Sequence, residues 1–246
     1  PNDTVKAYIN VKKLNDPEYV RNNFIILCTK KGTVKKTSLE AYSRPRQNGV
    51  IAITIKEDDQ LLEACLTDGG CDIMLAARNG KAIRFNESRV RPIGRTGAGV
   101  RGISITDDDE VVGMVCVNKD DKVDILVVSE NGYGKRSDFD DYRTTNRGGK
   151  GVKTINITEK TGKLIALKGV TDDNDLMIIN KSGITIRLAV LQVRLAGRAT
   201  QGVRLINLRN EDSIAAVAKV EAEDENEIEL MDNITDNEDI TSEEQS

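Results

Sequence analysis

The 246-residue chain has no histidine and no tryptophan, and only three phenylalanines and five tyrosines. Without histidine, no side chain has an ordinary pKa suited to acid–base catalysis near neutral pH. The commonest nitrogen ligand for zinc is missing too. The four cysteines, Cys28, Cys65, Cys71 and Cys116, show no zinc-like spacing. Three of them sit in apolar stretches and are expected to be buried free thiols in a reducing cytosol. No run of eighteen apolar residues occurs, so no membrane span is expected, and no signal-peptide pattern is present. The scarcity of aromatics argues against a platform that stacks single-stranded bases. It also argues against a protein-docking scaffold, which needs exposed aromatic or apolar anchors.

Charge is plentiful but unevenly placed. The chain has 36 basic and 40 acidic residues, a net charge of −4. Residues 221–246 hold twelve of the acidic residues and no Lys or Arg, which leaves residues 1–220 with a net charge of +8. The tail lacks hydrophobic periodicity and is expected to be disordered. A basic body joined to an acidic tail points to an anionic partner, and the tail could compete for the same surface.

The chain also repeats itself. Glycines follow short apolar runs at Gly32, Gly80, Gly132 and Gly183, spaced 48, 52 and 51 residues apart. A second set, Gly49, Gly99, Gly151 and Gly202, is spaced 50, 52 and 51. A fixed period near fifty residues signals a repeat architecture. Within each copy an apolar run of about six residues reads as a buried strand. A glycine turn follows; Asn131-Gly132 suggests a hairpin with positive φ at both turn residues. A basic return strand comes next, then a long loop, an alternating strand and a last apolar strand. The alternating strands are expected at residues 50–55, 100–105, 152–158 and 203–208. Four short antiparallel strands per copy is the pattern of a propeller blade. The expected fold is all-β and propeller-like, with about four complete blades over 21–220. Residues 1–20, with a strand-like run at 5–11, are expected to be the end of a preceding blade. The chain opens on Pro1, and it is expected to be a piece of a longer polypeptide.

Positive charge recurs at two places in each copy. One cluster closes the hairpin: Lys35 and Lys36, Lys81 and Arg84, Lys135 and Arg136, and Arg187. The other occupies the long loop: Arg44 and Arg46; Arg95 and Arg101; Arg143, Arg147, Lys150 and Lys153; Arg198 and Arg204. Stacked units would align these charges into a band, interleaved with backbone N–H groups of glycine-rich loops. Such a band suits the phosphates of a bent duplex contacted without regard to sequence.

Other motifs carry less. Gly97, Gly99 and Gly102 fit G-x-G-x-x-G, but an alternating strand follows where a dinucleotide site needs a helix. The segment Gly148-Gly149-Lys150-Gly151 lacks P-loop spacing and is expected to form a backbone nest for a phosphate. The acidic groups at 57–59, 107–110 and 172–173 recur in the same turn and are expected to be solvated rather than metal-binding. No catalytic residue, metal site or bound cofactor is expected on this chain.

Several strings, taken together, carry a resemblance. The segment Thr145-Asn-Arg-Gly-Gly-Lys-Gly151 resembles the signature box of the C-terminal domain of bacterial DNA gyrase A subunits, Gln-Arg-Arg-Gly-Gly-Lys-Gly, at five of seven positions. Asn131-Gly-Tyr-Gly-Lys-Arg136, Gly99-Val-Arg-Gly-Ile103 and Gly197-Arg-Ala-Thr-Gln-Gly-Val203 are similar to the same family, and the likeness spans about residues 20–220. The resemblance implies a β-pinwheel that wraps double-stranded DNA in a positive crossing and so supports negative supercoiling. It implies partners: the rest of a homodimeric A subunit, together with the B subunit, in a cytoplasmic, chromosome-associated complex that uses ATP and Mg²⁺. None of the five tyrosines resembles the DNA-cleaving residue, which is expected upstream. In the family the strict box usually lies in the first blade, so that blade is expected to precede this fragment. The related domain of topoisomerase IV, with fewer blades and no box, is the alternative within the same superfamily.

Overall fold

The structure, a computed structural model, describes residues 4–44, 46–208 and 212–222. The expected disordered tail lies outside these residues, apart from Glu221 and Ala222. Among the described residues, fifteen strands make up almost all the regular structure: β1 Phe24–Thr29, β2 Thr33–Ser38, β3 Leu61–Thr67, β4 Asp72–Ala77, β5 Lys81–Asn86, β6 Val100–Arg101, β7 Val111–Val117, β8 Asp124–Ser129, β9 Tyr133–Asp138, β10 Val152–Lys153, β11 Leu164–Val170, β12 Asn174–Asn180, β13 Thr185–Ala189, β14 Val203–Arg204 and β15 Ile214–Glu221. They form four antiparallel sheets, ordered β3-β1-β2-β6, β10-β5-β4-β7, β11-β8-β9-β14 and β13-β12-β15. The all-β blade architecture expected from the repeat is present.

Each blade is built on a hairpin whose turn is set by glycine. Gly32, Gly80, Gly132 and Gly183 all have φ between 77° and 84°. Each donates its N–H three residues back, as Gly132 does to the Ser129 carbonyl at 3.0 Å. Asn131 does not share the positive φ. The turn is therefore a one-glycine bulge type and not the two-residue turn expected. The apolar strands following each loop close the sheets where expected, and each carries a bulge at the same point, for example between Ala76 and Ala77.

The alternating strand departs from expectation. Only its first two residues are strand, and they pair with the hairpin of the preceding blade: Val100–Arg101 with β2, Val152–Lys153 with β5, and Val203–Arg204 with β9. Each blade thus borrows its fourth strand from the next copy. Residues 50–55 form no strand, because no hairpin among the described residues lies on that side to receive them. The fourth sheet has three strands for the mirror reason. Large exposed apolar side chains gather at these two ends: Ile51 and Ile55 on the unpaired donor, and Ile184, Leu191 and Leu195 on the blade that receives no donor.

The strand expected at residues 5–11 is not formed either. Instead Ile9, Val11 and Leu14 pack against the first blade. A helix, α1 Pro17–Asn22, follows, capped by Asp16, whose carboxylate accepts from Glu18 N and Tyr19 N at 3.0 and 3.2 Å. The remaining cores lie between blades. One joins blades one and two through Ile26, Ile73 and Phe85; the next joins two and three through Met74, Ile125 and Val127; the third joins three and four through Leu126, Leu176 and Ile178. Branched aliphatics fill these seams, as the lack of aromatics requires.

Candidate nucleic-acid interface

The long loops form one continuous edge. Each loop docks on the hairpin of the blade before it. Gly102 N donates to Gly32 O, Thr154 N to Gly80 O and Leu205 N to Gly132 O, all at 2.8 Å. Each loop is then bonded to the next: Thr54 N to Gly97 O at 3.4 Å, Ser104 N to Gly149 O at 2.9 Å and Asn156 N to Thr200 O at 3.1 Å. Two loop arginines reinforce the links. Arg147 donates to the carbonyls of Arg89 and Arg101, and Arg198 to that of Lys153. The repeat thus places equivalent loop residues side by side along one rim.

The structure divides the expected basic residues into two groups. Most of the hairpin cluster is internal and bonded within the protein. Lys35 and Lys135 are fully buried. Lys35 Nζ donates to the carbonyls of Ala52, at 2.5 Å, and Arg95. Lys135 Nζ donates to Ser137 Oγ at 2.7 Å and the Gly197 carbonyl at 3.1 Å. Burial lowers both amines to a pKa of about 8. Lys36 is paired with Glu87 of the next blade, which is fully buried, and its ammonium lies 4.0 Å from the centre of the Phe24 ring.

Arg84 and Arg136 do the same one and two blades on. Arg84 bonds Asp72 at 2.8 Å and reaches across to Asp140 and the carbonyls of Phe139 and Tyr142. Arg136 bonds Asp124 at 3.2 Å, the Val193 carbonyl at 2.9 Å and Asp172. These cations clasp each blade to its neighbour. The charge pattern puts them among the phosphate ligands, but a hairpin strand inside a stack is covered on both faces, so a cation there must find protein partners. Arg187, in the last blade, is exposed and bonds Asp175 at 2.6 Å.

The loop cluster is the accessible one. Arg44, Arg46, Arg101, Arg143, Lys150, Lys153 and Arg204 are exposed, as is Lys81 from the hairpin set, while Arg95, Arg147 and Arg198 are half-buried. The borrowed strands bring Arg101 opposite Thr33, Lys153 opposite Lys81, and Arg204 opposite Tyr133. Lys81 and Lys153 are thus two like charges directly across a strand pair, an arrangement that is unfavourable unless an anion sits between them. Arg204 donates to the Tyr133 hydroxyl at 2.8 Å. That hydrogen bond, aided by the charges of Arg204 and Lys160, holds the phenol below its ordinary pKa.

The glycines of the box-like loop serve packing. A Cβ on Gly151 would lie 2.4 Å from the Ala82 carbonyl oxygen, and φ there is +71°. Gly99 and Gly202 meet the hairpins before them in the same way, at 2.7 and 2.5 Å. Gly49 has the same φ as Gly151 but nothing within 4 Å. Gly148 N–H donates to Gly102 O at 2.6 Å, so it is not offered to a phosphate as the nest expectation required. Gly149 is exposed beside Lys150. The acidic turns also turn inward: Asp59 accepts from Lys31 N and Asp109 from Asn79 N, bracing the hairpin tips.

Residue-by-residue reading missed Arg91 and Arg194, both exposed. They precede and follow Arg143 by 52 and 51 residues, so the repeat itself carried the signal.

Comparison with known proteins places this geometry. A family model described as the DNA gyrase C-terminal domain, beta-propeller, matches residues 23–64, 72–118, 124–170 and 174–221, one segment for each blade. The A subunit of DNA gyrase from Staphylococcus epidermidis is 45% identical over 224 residues, covering 91% of this chain and 25% of that protein. Its counterpart from Staphylococcus aureus is 44% identical over 227 residues, covering 92% and 25%. The chain therefore spans about a quarter of the length of these relatives. Among solved structures, a DNA gyrase A C-terminal domain superposes with a TM-score of 0.72 at 24% identity, covering 81% of this chain and 66% of that one. A topoisomerase IV C-terminal domain superposes with a TM-score of 0.78 at 26% identity, covering 91% and 68%. The fold is common to both enzymes, whereas the matched sequence segments are those of gyrase, and the chain belongs to the DNA gyrase C-terminal β-propeller family.

Proposed function

We propose that this chain binds and wraps double-stranded DNA along its loop rim, as the C-terminal part of a gyrase A subunit. The observation that carries the reading is the row of exposed loop cations held in register by loop-to-loop hydrogen bonds, with Lys81 and Lys153 set side by side. Phosphates spaced along a curved duplex would neutralise these charges, and the contact energy would offset the cost of bending. No base-reading element enters a groove in this scheme, so binding is indifferent to sequence.

The proposed role is to present a bent segment to a type II topoisomerase whose DNA-cleaving and ATP-hydrolysing centres lie on other parts of the complex. The partners are duplex DNA, the remainder of a dimeric A subunit, plus a B subunit, on the chromosome in the cytoplasm. ATP and Mg²⁺ act in that complex and not on residues of this chain. We assign residues 21–220 as the wrapping unit and the acidic residues beyond β15 as its competitor for the rim. Sequence alone makes residues 1–20 the end of a preceding blade; the packing of Ile9, Val11 and Leu14 supports treating them as a cover on the first blade.

Fluorescence anisotropy of a labelled linear duplex, repeated over a salt series, tests the electrostatic reading. Neutralising about eight phosphates gives a slope of log K against log salt near −7. A slope flatter than about −2 removes wrapping by this rim.

A further inference from the structure

The seam between the first two blades holds thiols that DNA binding leaves unused. Cys65 lies on β3 opposite Ile26, and Cys116 on β7 opposite Ile73. Both are partly buried and pack against the core shared by the two blades. Each lies directly across its sheet from a residue of the shared core, so the two side chains face each other over the seam. Cys71, which is buried, donates to Glu87 Oε2 at 2.6 Å, while Oε1 of that carboxylate takes Lys36. Cys28 is fully buried in the same core, where its thiol donates to the Thr29 carbonyl at 3.4 Å.

We propose that Cys65 and Cys116 are an oxidation-sensitive pair that closes into a disulfide between the first and second blades when a hydroperoxide reaches Cys65. The sulfur of Cys65 attacks the terminal peroxide oxygen, and the O–O bond breaks. Cys65 becomes a sulfenic acid, and the other oxygen leaves as water or an alcohol. The sulfur of Cys116 then attacks that of Cys65. The S–O bond breaks and hydroxide departs, taking the proton of Cys116 to form water. Two thiols lose two electrons in all, and the peroxide gains them.

The roles of the two sulfurs follow from their surroundings. The neighbouring Cys116 thiol lowers the pKa of Cys65, whereas the Cys65 and Cys71 thiols, with burial, raise that of Cys116. In this proposal Cys65 is the attacking group and Cys116 the resolving one. Cys71 is held as a thiol donor by Glu87 and takes no part. Because β3 and β7 belong to adjacent blades, the bond would join units that are otherwise held by packing, hydrogen bonds and ion pairs. It would close a loop of about fifty residues and so stabilise the seam.

The test uses the full chain, reduced and then treated with hydrogen peroxide at a small molar excess. Remaining thiols are blocked with an alkylating agent and the digest is read by mass spectrometry. The expected product is a peptide linked through Cys65 and Cys116, absent after a reductant and accompanied by a higher melting temperature. Cys71→Ser keeps the link. Cys116→Ser loses it and lets a sulfenic-acid probe label Cys65. Because these substitutions alter the seam itself, the unaltered chain is also oxidised in concentrated urea, where the preference for this pair should vanish. Retention of all four thiols overturns the proposal. So does a bridge through Cys71, a bridge between chains, or equal pairing in the folded and unfolded states.

Discussion

Arg136 separates a clasp from a phosphate ligand. Replacing it with Met keeps the aliphatic stem and deletes the guanidinium. Three partners are then stranded: the carbonyl of buried Val193, Asp124 and Asp172. Burial already raises the pKa of Asp124, and Arg136 is the main influence holding it down against Asp138 and Asp172. Breaking a buried ion pair by removing one partner costs about 3–5 kcal/mol. Here the Asp172 side chain is 62% exposed and that of Asp124 28%, so water takes over part of the loss. A cost of about 2–3 kcal/mol remains. With a urea m-value of about 2–3 kcal/mol/M, the midpoint should fall by about 1 M. Circular dichroism in a urea series measures this, and duplex binding is assayed under conditions where both proteins are folded. Arg143→Met is the contrast, because Arg143 is exposed on the rim. It should change stability by less than about 0.5 kcal/mol and weaken duplex binding. If Arg136→Met keeps the wild-type midpoint yet loses as much DNA affinity as Arg143→Met, the clasp assignment is wrong and Arg136 faces the duplex.

Further outcomes follow from the same geometry. Gly151→Ala should destabilise by more than about 2 kcal/mol, because it adds a backbone clash to the strain of φ +71°, whereas Gly49→Ala should cost only the strain, about 1 kcal/mol; equal urea midpoints would contradict the docking of the loop on Ala82. The amines of Lys35 and Lys135 titrate near pH 8 in the fold, below their ordinary 10.5. Between those values the unfolded chain binds more protons, so stability should rise with pH, and Lys35→Met with Lys135→Met should flatten that rise in thermal melts. Deleting residues 223–246 should raise duplex affinity, most at low salt; equal affinity at every salt concentration would remove the competing-tail reading.

The repeat was legible because glycine is required wherever the chain turns with positive φ, and those glycines recur at a constant interval. The donated strand was not legible. Its alternation shows that one face is buried but not which sheet receives it, and its partner lies a whole repeat back, as Lys153 lies opposite Lys81. The rim was half legible for a related reason. A cation reads as exposed until its partner is found, and the partners of Lys36, Arg84 and Arg136 lie in the next blade. A signal for the clasp was nevertheless present. Arg84, Arg136 and Arg187 each follow an aspartate by twelve residues, Asp72, Asp124 and Asp175, and each pair is bonded across the hairpin. In the first copy the same offset gives Lys36 and Phe24, and there the aspartate is replaced by a ring under the ammonium. Charges with a partner at that fixed spacing belong to the scaffold; those without one there, such as Arg91, Arg143 and Arg194, mark the rim.

The central claim is that the loop rim bends duplex around the blades, and plasmid topology tests it most directly. A nicked plasmid is incubated with increasing amounts of the chain, resealed by ligase, stripped of protein and resolved by electrophoresis. Wrapping along the rim predicts a linking-number shift that grows with protein, is positive in sign and is lost when Arg143, Lys150 and Lys153 are neutralised together. A distribution that stays centred on the relaxed position while the DNA is saturated would show binding without wrapping and would contradict the account.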